Sequence, residues 1–271
     1  MPNTDILILS ILRGVSEIFP IDLAAHFTLL TRLFCWPALG DLLDAAGDFG
    51  LLVALLLYLW RDVLQLLRSL GRAMRGKRDP GARLLLGLVL GSLPAFAITF
   101  VLRDRLDVTL RDPVYTVVLL VAFGVVLYVA DQAGLTVRRL DQMDPLQAAV
   151  IGLFQGLAVL PGISRMGMIV TVARSLGYER AEAARFMLLL SMPWMAASGL
   201  YRAGLGIAAG EAVDPDRLLL MAGVSAVAGF LAIAFLMYWL RRGNFTLFAV
   251  YRVLLGAALL YALTKLPDLG C

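Results

Sequence analysis

One stretch decides how this chain folds: Gly152-Leu-Phe-Gln-Gly-Leu-Ala-Val-Leu-Pro161-Gly-Ile-Ser164-Arg165-Met-Gly167-Met-Ile-Val-Thr171. The stretch is apolar, but Pro-Gly and an arginine interrupt its middle. A guanidinium at the centre of a bilayer costs about 2.5–3.5 kcal/mol on insertion scales, so we expect Arg165 to face a protein-lined cavity. Pro161 and Gly162 permit a tight turn, and broken backbone at membrane depth is tolerated only inside protein or against water. The stretch therefore predicts a helix that breaks within the membrane.

The same stretch carries the groups of an anion site. Loop N–H groups at Gly162, the Ser164 hydroxyl and the Arg165 guanidinium converge after the break, and Thr171 adds a second hydroxyl. Such donors favour phosphate. The alternative is a Pro-kinked helix end from which Arg165 reaches the membrane surface. Apolar residues continue on both sides of Arg165, which favours the anion site.

Composition indicates a polytopic membrane protein. The chain has 271 residues, of which 61% are hydrophobic and 16% charged, too few polar residues to cover a soluble domain of this length. The net charge of +4 comes from arginines in loops, so we expect no nucleic-acid partner. Cys35 and Cys271 give neither a metal-binding spacing nor a disulfide framework. The residues Met1–Asp5 lack the basic start of a cleavable signal.

Six apolar segments are long enough to cross a bilayer. Two more, Ile6–Leu30 and Gly152–Thr171, contain polar interruptions and predict re-entrant helical segments. We therefore expect an all-α integral membrane protein with six transmembrane helices and two re-entrant segments. The six predicted spans are Leu42–Trp60, Leu84–Leu102, Val114–Ala130, Phe186–Tyr201, Leu218–Leu240 and Phe245–Leu263.

The distribution of Lys and Arg predicts the orientation. The loops Arg61–Arg83, Asp131–Asp144, Arg174–Arg185 and Arg241–Arg242 together carry twice as many basic residues as the loops on the other side. Because basic loops stay in the cytoplasm, we expect these four inside, and Arg103–Pro113 and Arg202–Arg217 outside.

The two interrupted segments resemble each other. Arg13-Gly-Val-Ser-Glu-Ile-Phe-Pro20 and Gln155-Gly-Leu-Ala-Val-Leu-Pro161 both start with a polar residue and glycine, and three predicted spans follow each. In the predicted topology they enter from opposite faces, which is the plan of an inverted repeat with a site at the midplane. We expect a single membrane domain with repeat halves of about 1–130 and 145–271.

The run from Pro161 to Thr171, with Ala184-Arg-Phe-Met-Leu-Leu-Leu-Ser-Met-Pro193 after it, resembles the bacterial undecaprenyl-pyrophosphate phosphatase (bacitracin-resistance) family. That family carries P-G-x-S-R-S-x-x-T and A-x-F-x-x-L-x-x-x-P. The match departs at Met166, where the family has Ser, and the family's Thr lies one or two positions away from Thr171. The family is also described as an inverted repeat with two re-entrant loops.

The family's first motif, E-G-x-x-E-F-x-P-x-S-S-x-G-H, is only partly kept. Glu17, Pro20 and His26 match it. The first family Glu is Arg13 here, and the Ser pair is Asp22-Leu23. The Glu-to-Arg exchange changes the local charge by two units and removes a candidate divalent-metal ligand.

The resemblance implies catalytic residues in both segments. His26, the single histidine, would act as general acid or base or as the nucleophile, unless it is only a hydrogen-bonded structural residue. Glu17 would orient or deprotonate the imidazole or a water, or hold a cation; the alternative is an ion pair with Arg13, one turn away. Asp22 would replace a lost Ser, or neutralise Arg13 or Arg165.

In the second segment Arg165, with Ser164, would clamp the phosphate and stabilise charge on the transferring phosphoryl group.

The remaining polar and glycine-rich positions are interpreted mainly as structural. Tyr251-Arg252 matches a feature of the family's last helix, and we interpret it as a structural contact to a neighbouring helix. Asp44 and Asp48, four residues apart, would hold a cation or face water. Gly204-Leu-Gly206-Ile-Ala-Ala209 follows no strand, so we interpret it as a loop and not as a dinucleotide fingerprint.

The resemblance implies an inner-membrane undecaprenyl-diphosphatase. Such an enzyme removes the terminal phosphate of undecaprenyl pyrophosphate, recycles the lipid carrier for peptidoglycan and cell-wall synthesis, and gives bacitracin resistance. Expected partners are the polyprenyl pyrophosphate, the bilayer and a second copy of the chain, with Mg²⁺ or Ca²⁺ as the cofactor. Two alternatives stay open: a polyprenyl-phosphate flippase or anion transporter built on the same inverted repeat, and a catalytically altered paralogue.

Overall fold

The computed structural model describes residues 2–34, 36, 39–76, 79–102 and 112–265. Cys35, Cys271 and nearly all of the loop Arg103–Pro113 fall outside these ranges. Within them the regular elements are helices. They are α1 (Asn3–Ser16), α2 (Leu23–Phe34), α3 (Asp41–Tyr58), α4 (Trp60–Ala73), α5 (Pro80–Leu102), α6 (Pro113–Ala133), α7 (Pro145–Gln155), α8 (Arg165–Ser175), α9 (Arg180–Ala208), α10 (Pro215–Trp239) and α11 (Thr246–Lys265).

Five of the described helices, α5, α6, α9, α10 and α11, are long and apolar enough to cross a membrane. A sixth span is counted if α3 and α4 are taken together, but these two helices meet at an angle of 80° near Leu59. The multi-span, all-helical prediction is confirmed at this level.

The helix α4 lies where the sequence analysis predicted a loop, Arg61–Arg83. Its apolar residues recur every three or four positions and its arginines occupy another face, a pattern that forms an amphipathic helix. Leu66 and Ser69 are buried against the rest of the protein, whereas Leu67 is exposed.

Both interrupted segments are broken helices, as the sequence predicts. The first breaks between α1 and α2 around Pro20. The second continues from α7 through a 3-10 turn, Gly156–Val159, and then turns at Gly162 before α8. Gly162 has a φ of +91°, and a Cβ there would lie 2.4 Å from the Thr116 carbonyl oxygen. Only glycine fits this turn without strain.

Two further predicted loops are wrong. The helix α9 continues to Ala208, so Gly204–Gly206 is helical, consistent with the frequency of glycine in membrane helices. Arg174, assigned to a cytoplasmic loop, belongs to α8 and is fully buried. Its guanidinium binds Asp131 at 2.9 Å and donates to the Gly134 carbonyl, so local charge misled the prediction.

Helices of one half pack against helices of the other half. Most of these contacts occur twice, with the roles of the two halves exchanged. The helix α1 packs on α10 and α7 on α5; α2 packs on α11 and α8 on α6; α3 packs on α9. Glycines make one of these contacts close, because a Cβ on Gly152 of α7 would lie 1.8 Å from the carbonyl oxygen of Gly91 in α5. This packing brings the two breaks side by side.

Candidate functional site

A cavity of about 290 Å³ lies between the two breaks and the helices α3 and α9. Charged and apolar side chains share its wall, and two serines, Ser16 and Ser164, add hydroxyl groups. The charged residues are Arg13, Glu17, Asp22, Asp44, Arg165 and Arg202. Both predicted segments therefore contribute to one polar chamber inside a largely apolar helix bundle.

Arg165 is the first residue of α8 and points into this chamber. Its guanidinium carbon lies 4.2 Å from the centre of the Trp194 ring, and its Nη1 lies 3.8 Å from a Glu17 carboxylate oxygen. The side chain is 19% exposed, and Nη1 has no hydrogen-bond partner among the described residues. This placement supports the anion site and not an arginine that reaches the membrane surface.

The other predicted phosphate-binding residues divide into two groups. Ser164 lines the cavity and caps α8, where its Oγ accepts a hydrogen bond of 3.2 Å from the Gly167 N–H. Thr171 donates its hydroxyl to the Gly167 carbonyl at 2.6 Å and is not among the described lining residues. The Gly162 N–H donates to Asp22 at 3.1 Å. Thr171 and Gly162 thus support the loop and its helix.

Asp22 and Arg252 hold the two breaks together. The Asp22 carboxylate accepts hydrogen bonds from the N–H groups of Ala25 and Gly162. Arg252, only 1% exposed, donates to the carbonyl oxygens of Gly162 at 2.8 Å and Pro20 at 3.5 Å. The structural interpretation of Arg252 fits these contacts. Asp22 also lines the cavity, so it serves both the scaffold and the chamber wall.

His26 is not among the described residues that line the cavity. Its Nδ1 lies 2.5 Å from the Asp22 carbonyl oxygen, and its Nε2 lies 2.7 Å from the Tyr251 hydroxyl. A carbonyl only accepts, so Nδ1 carries the proton and the neutral Nε2 accepts from Tyr251. A catalytic His26 stays a prediction, and the imidazole would have to leave Tyr251 to reach a phosphate in the chamber.

Arg13 pairs with α3 and not with Glu17, the alternative considered from the sequence. Its Nη2 lies 2.6 Å from Asp48, and its Nη1 binds Asp44. Arg202 of α9 also binds Asp44, and the Ser198 hydroxyl donates to Asp48 at 2.7 Å. Arg202 was missed as a site residue because it was assigned to an outer loop.

Trp194 was missed as well. It lies one residue after Pro193 in the downstream motif, and this neighbourhood was the signal that could have found it.

The sequence analysis also predicted Glu17 as a metal ligand. Divalent cations such as Mg²⁺ and Ca²⁺ need several oxygen ligands. Across the described ranges, no three His, Cys, Asp or Glu side chains lie close enough to hold a metal ion. Glu17 faces Arg165, and Asp44 and Asp48 bind arginines rather than a cation. These residues do not fit a metal held by protein side chains.

Comparisons with known proteins agree with the motif resemblance. The family model for the bacitracin resistance protein BacA matches residues 6–258. The chain is 41% identical to undecaprenyl-diphosphatase 1 of Rhodospirillum rubrum, over 98% of this chain and 96% of that protein. It is 41% identical to the undecaprenyl-diphosphatase of Desulforudis audaxviator, over 92% and 94% of the two chains. For the undecaprenyl-diphosphatase of Ruegeria sp. the identity is 38%, over 96% and 98%.

These relatives match almost from end to end, so the similarity includes both broken segments and the helices that pack around them. Together with the family model, this extent of identity shows that the chain belongs to the bacitracin resistance protein BacA family.

Proposed function

We propose that this chain is a membrane undecaprenyl-diphosphatase. It hydrolyses the terminal phosphate of undecaprenyl pyrophosphate and returns the lipid carrier to cell-wall synthesis. The observation that carries the proposal is Arg165, whose guanidinium stacks on Trp194 and lines the chamber, and whose Nη1 makes no hydrogen bond to another described residue. The names of the relatives supply the substrate class.

In the reaction, a water oxygen attacks the terminal phosphorus and the bond to the bridging oxygen breaks. Undecaprenyl phosphate leaves and inorganic phosphate forms. Arg165 neutralises the charge on the transferring phosphoryl group, and the Ser164 hydroxyl donates to one of its oxygens. Glu17, which shares the chamber with Arg165, accepts the proton of the attacking water. His26 is the second candidate for this proton transfer.

The finer architecture belongs to the same proposal. We assign six spans and two re-entrant segments in an inverted repeat, within the bacterial inner membrane and in a homodimer. The exchanged helix contacts support the repeat. Asp44, in the first turn of α3, and Arg202, near the end of α9, line the cavity close to the predicted outer face, so the chamber opens outward.

A flippase is the second candidate, because the exchanged helix pairs also suit alternating access and because His26 does not line the chamber. A detergent solution has no two sides, so it separates the two functions. The phosphatase releases inorganic phosphate from undecaprenyl pyrophosphate there, and a flippase releases none.

The test of the proposal is the set of Arg165 variants, each measured as phosphate release in detergent and as melting temperature. Arg165→Lys should lose nearly as much turnover as Arg165→Ala, about a hundredfold, because a point charge does not reproduce the planar fork. Arg68→Gln, at an exposed position of α4, is the control. Full activity of the Lys variant would contradict the proposal.

A further inference from the structure

Three buried donors without a hydrogen-bond partner belong to residues that line one cavity. The Nε of Arg13, the Oγ of Ser16 and the Nη1 of Arg165 are buried and make no hydrogen bond to another described residue. All three residues line the same 290 Å³ chamber. A buried donor without a partner is costly to a folded protein, so three at one place indicate a ligand with several acceptor oxygens.

The guanidinium of Arg13 is held so that part of it stays free. Asp44 and Asp48 take its two terminal nitrogens, and the side chain is 3% exposed. A guanidinium has five N–H donors, so these two ion pairs leave the Nε–H and further N–H groups available. Gly47 makes this placement feasible, since a Cβ there would lie 2.5 Å from the Arg13 Nε.

The formal charges of the residues that line the chamber are balanced without a ligand. Arg13, Arg165 and Arg202 share its wall with three acidic residues. A diphosphate group brings additional negative charge on two phosphorus centres, and Arg165 can neutralise only one of them. The chamber has space for about ten water molecules at ~30 Å³ each, which accommodates both phosphates.

We propose that Arg13 and Ser16 form a second phosphate subsite beside Arg165. In this chain the second phosphate of a diphosphate ligand then accepts hydrogen bonds from the Arg13 Nε–H and the Ser16 hydroxyl, and Asp44 and Asp48 hold the Arg13 guanidinium in place. This explains why the residues around the chamber do not fit a metal held by protein side chains. The proposal deepens the proposed function and rests on it only for the identity of the lipid.

The first test measures binding of inorganic pyrophosphate and inorganic phosphate to the purified protein in detergent with EDTA, by calorimetry. Arg13→Gln and Ser16→Ala should each weaken pyrophosphate about tenfold and leave phosphate unchanged. Arg165→Gln should weaken both ligands, and Arg68→Gln neither. The lipid comparison, undecaprenyl pyrophosphate against undecaprenyl phosphate, should follow the same ratio.

The variant Ser16→Ala keeps the ion pairs of Arg13 intact, so it tests the subsite even if Arg13→Gln does not fold. An unchanged ratio of pyrophosphate to phosphate affinity in folded Ser16→Ala and Arg13→Gln would overturn the proposal.

A second test adds Mg²⁺ or Ca²⁺: pyrophosphate affinity of the unchanged protein should stay within about twofold. A strict requirement for the cation would also overturn it. If the protein binds pyrophosphate in this way but releases no phosphate from the lipid, the subsite stands and the phosphatase proposal fails.

Discussion

Arginines in this chain act according to the groups that surround each guanidinium. Arg165 lies against Trp194, and its Nη1 makes no hydrogen bond to another described residue, so it can bind a ligand. Arg252 donates to backbone carbonyls, which uses its donors for structure. Arg13 is anchored by carboxylates. The residue type is the same in each case, and the neighbours decide between catalysis, scaffold and anchoring.

The assignment of the acid–base group can be tested at the residue scale with Glu17→Gln, His26→Ala and His26→Gln. If Glu17 takes the proton from water, Glu17→Gln should slow phosphate release by about a hundredfold or more. If His26 transfers the proton or phosphoryl group, both His26 variants should lose a similar factor. If His26 only bonds Asp22 and Tyr251, His26→Gln should retain activity. Single-turnover phosphate release with a melting curve distinguishes these outcomes.

The first motif, which differs from the family pattern, gives a second prediction at the residue scale. Arg13→Glu, alone or with Asp22→Ser and Leu23→Ser, rebuilds the family pattern in letters. It also places a third carboxylate beside Asp44 and Asp48, which Arg13 now neutralises. We expect the single change to lower activity and melting temperature most, because buried like charges repel. Adding Asp48→Asn should restore part of both, and a gain of activity in Arg13→Glu alone would contradict this expectation.

At the scale of the elements, close helix contacts position the two breaks. The helices α5 and α7 approach so closely at Gly91 and Gly152 that no side chain fits between them, and α1 meets α10 at Gly14 in a similar way. Each break follows α1 or α7, so these contacts place both breaks against helices of the other half.

The α5–α7 contact predicts the effect of a small substitution. In Gly152→Ala the new methyl would lie 1.8 Å from the Gly91 carbonyl oxygen, so the helices must separate. We expect a loss of about 1–3 kcal/mol in the free energy of unfolding. Gly223→Ala is the matched control, because nothing lies within 4 Å of a Cβ there. It should be neutral or stabilise by roughly 0.5–1 kcal/mol. Equal melting temperatures for the two variants would contradict the contact.

At the scale of the whole molecule, the basic loops predict which ends of the helices lie in the cytoplasm. Arg72, at the end of α4, is expected inside, and Ala209, after α9, outside. In a chain with Cys35 and Cys271 replaced by Ser, Arg72→Cys and Ala209→Cys should react with an impermeant thiol reagent from opposite sides. Labelling from the same side would contradict the six-span arrangement and the outward-opening chamber.

The sequence by itself determined the helical membrane architecture, both breaks and the position of Ser164 and Arg165 directly after the second break. Those features depend on local free energies: the transfer of apolar segments into the bilayer, the turns that Pro and Gly permit, and the burial of a charge. Neighbouring residues encode all of these terms.

Only the tertiary structure decided which groups meet in the chamber and in the scaffold around it. Arg13 binds carboxylates on α3, His26 meets Tyr251 of α11, and Arg252 reaches Gly162. Each of these contacts joins residues far apart in the chain. Their formation depends on which helix faces approach one another, and close packing at residues such as Gly152 sets that arrangement.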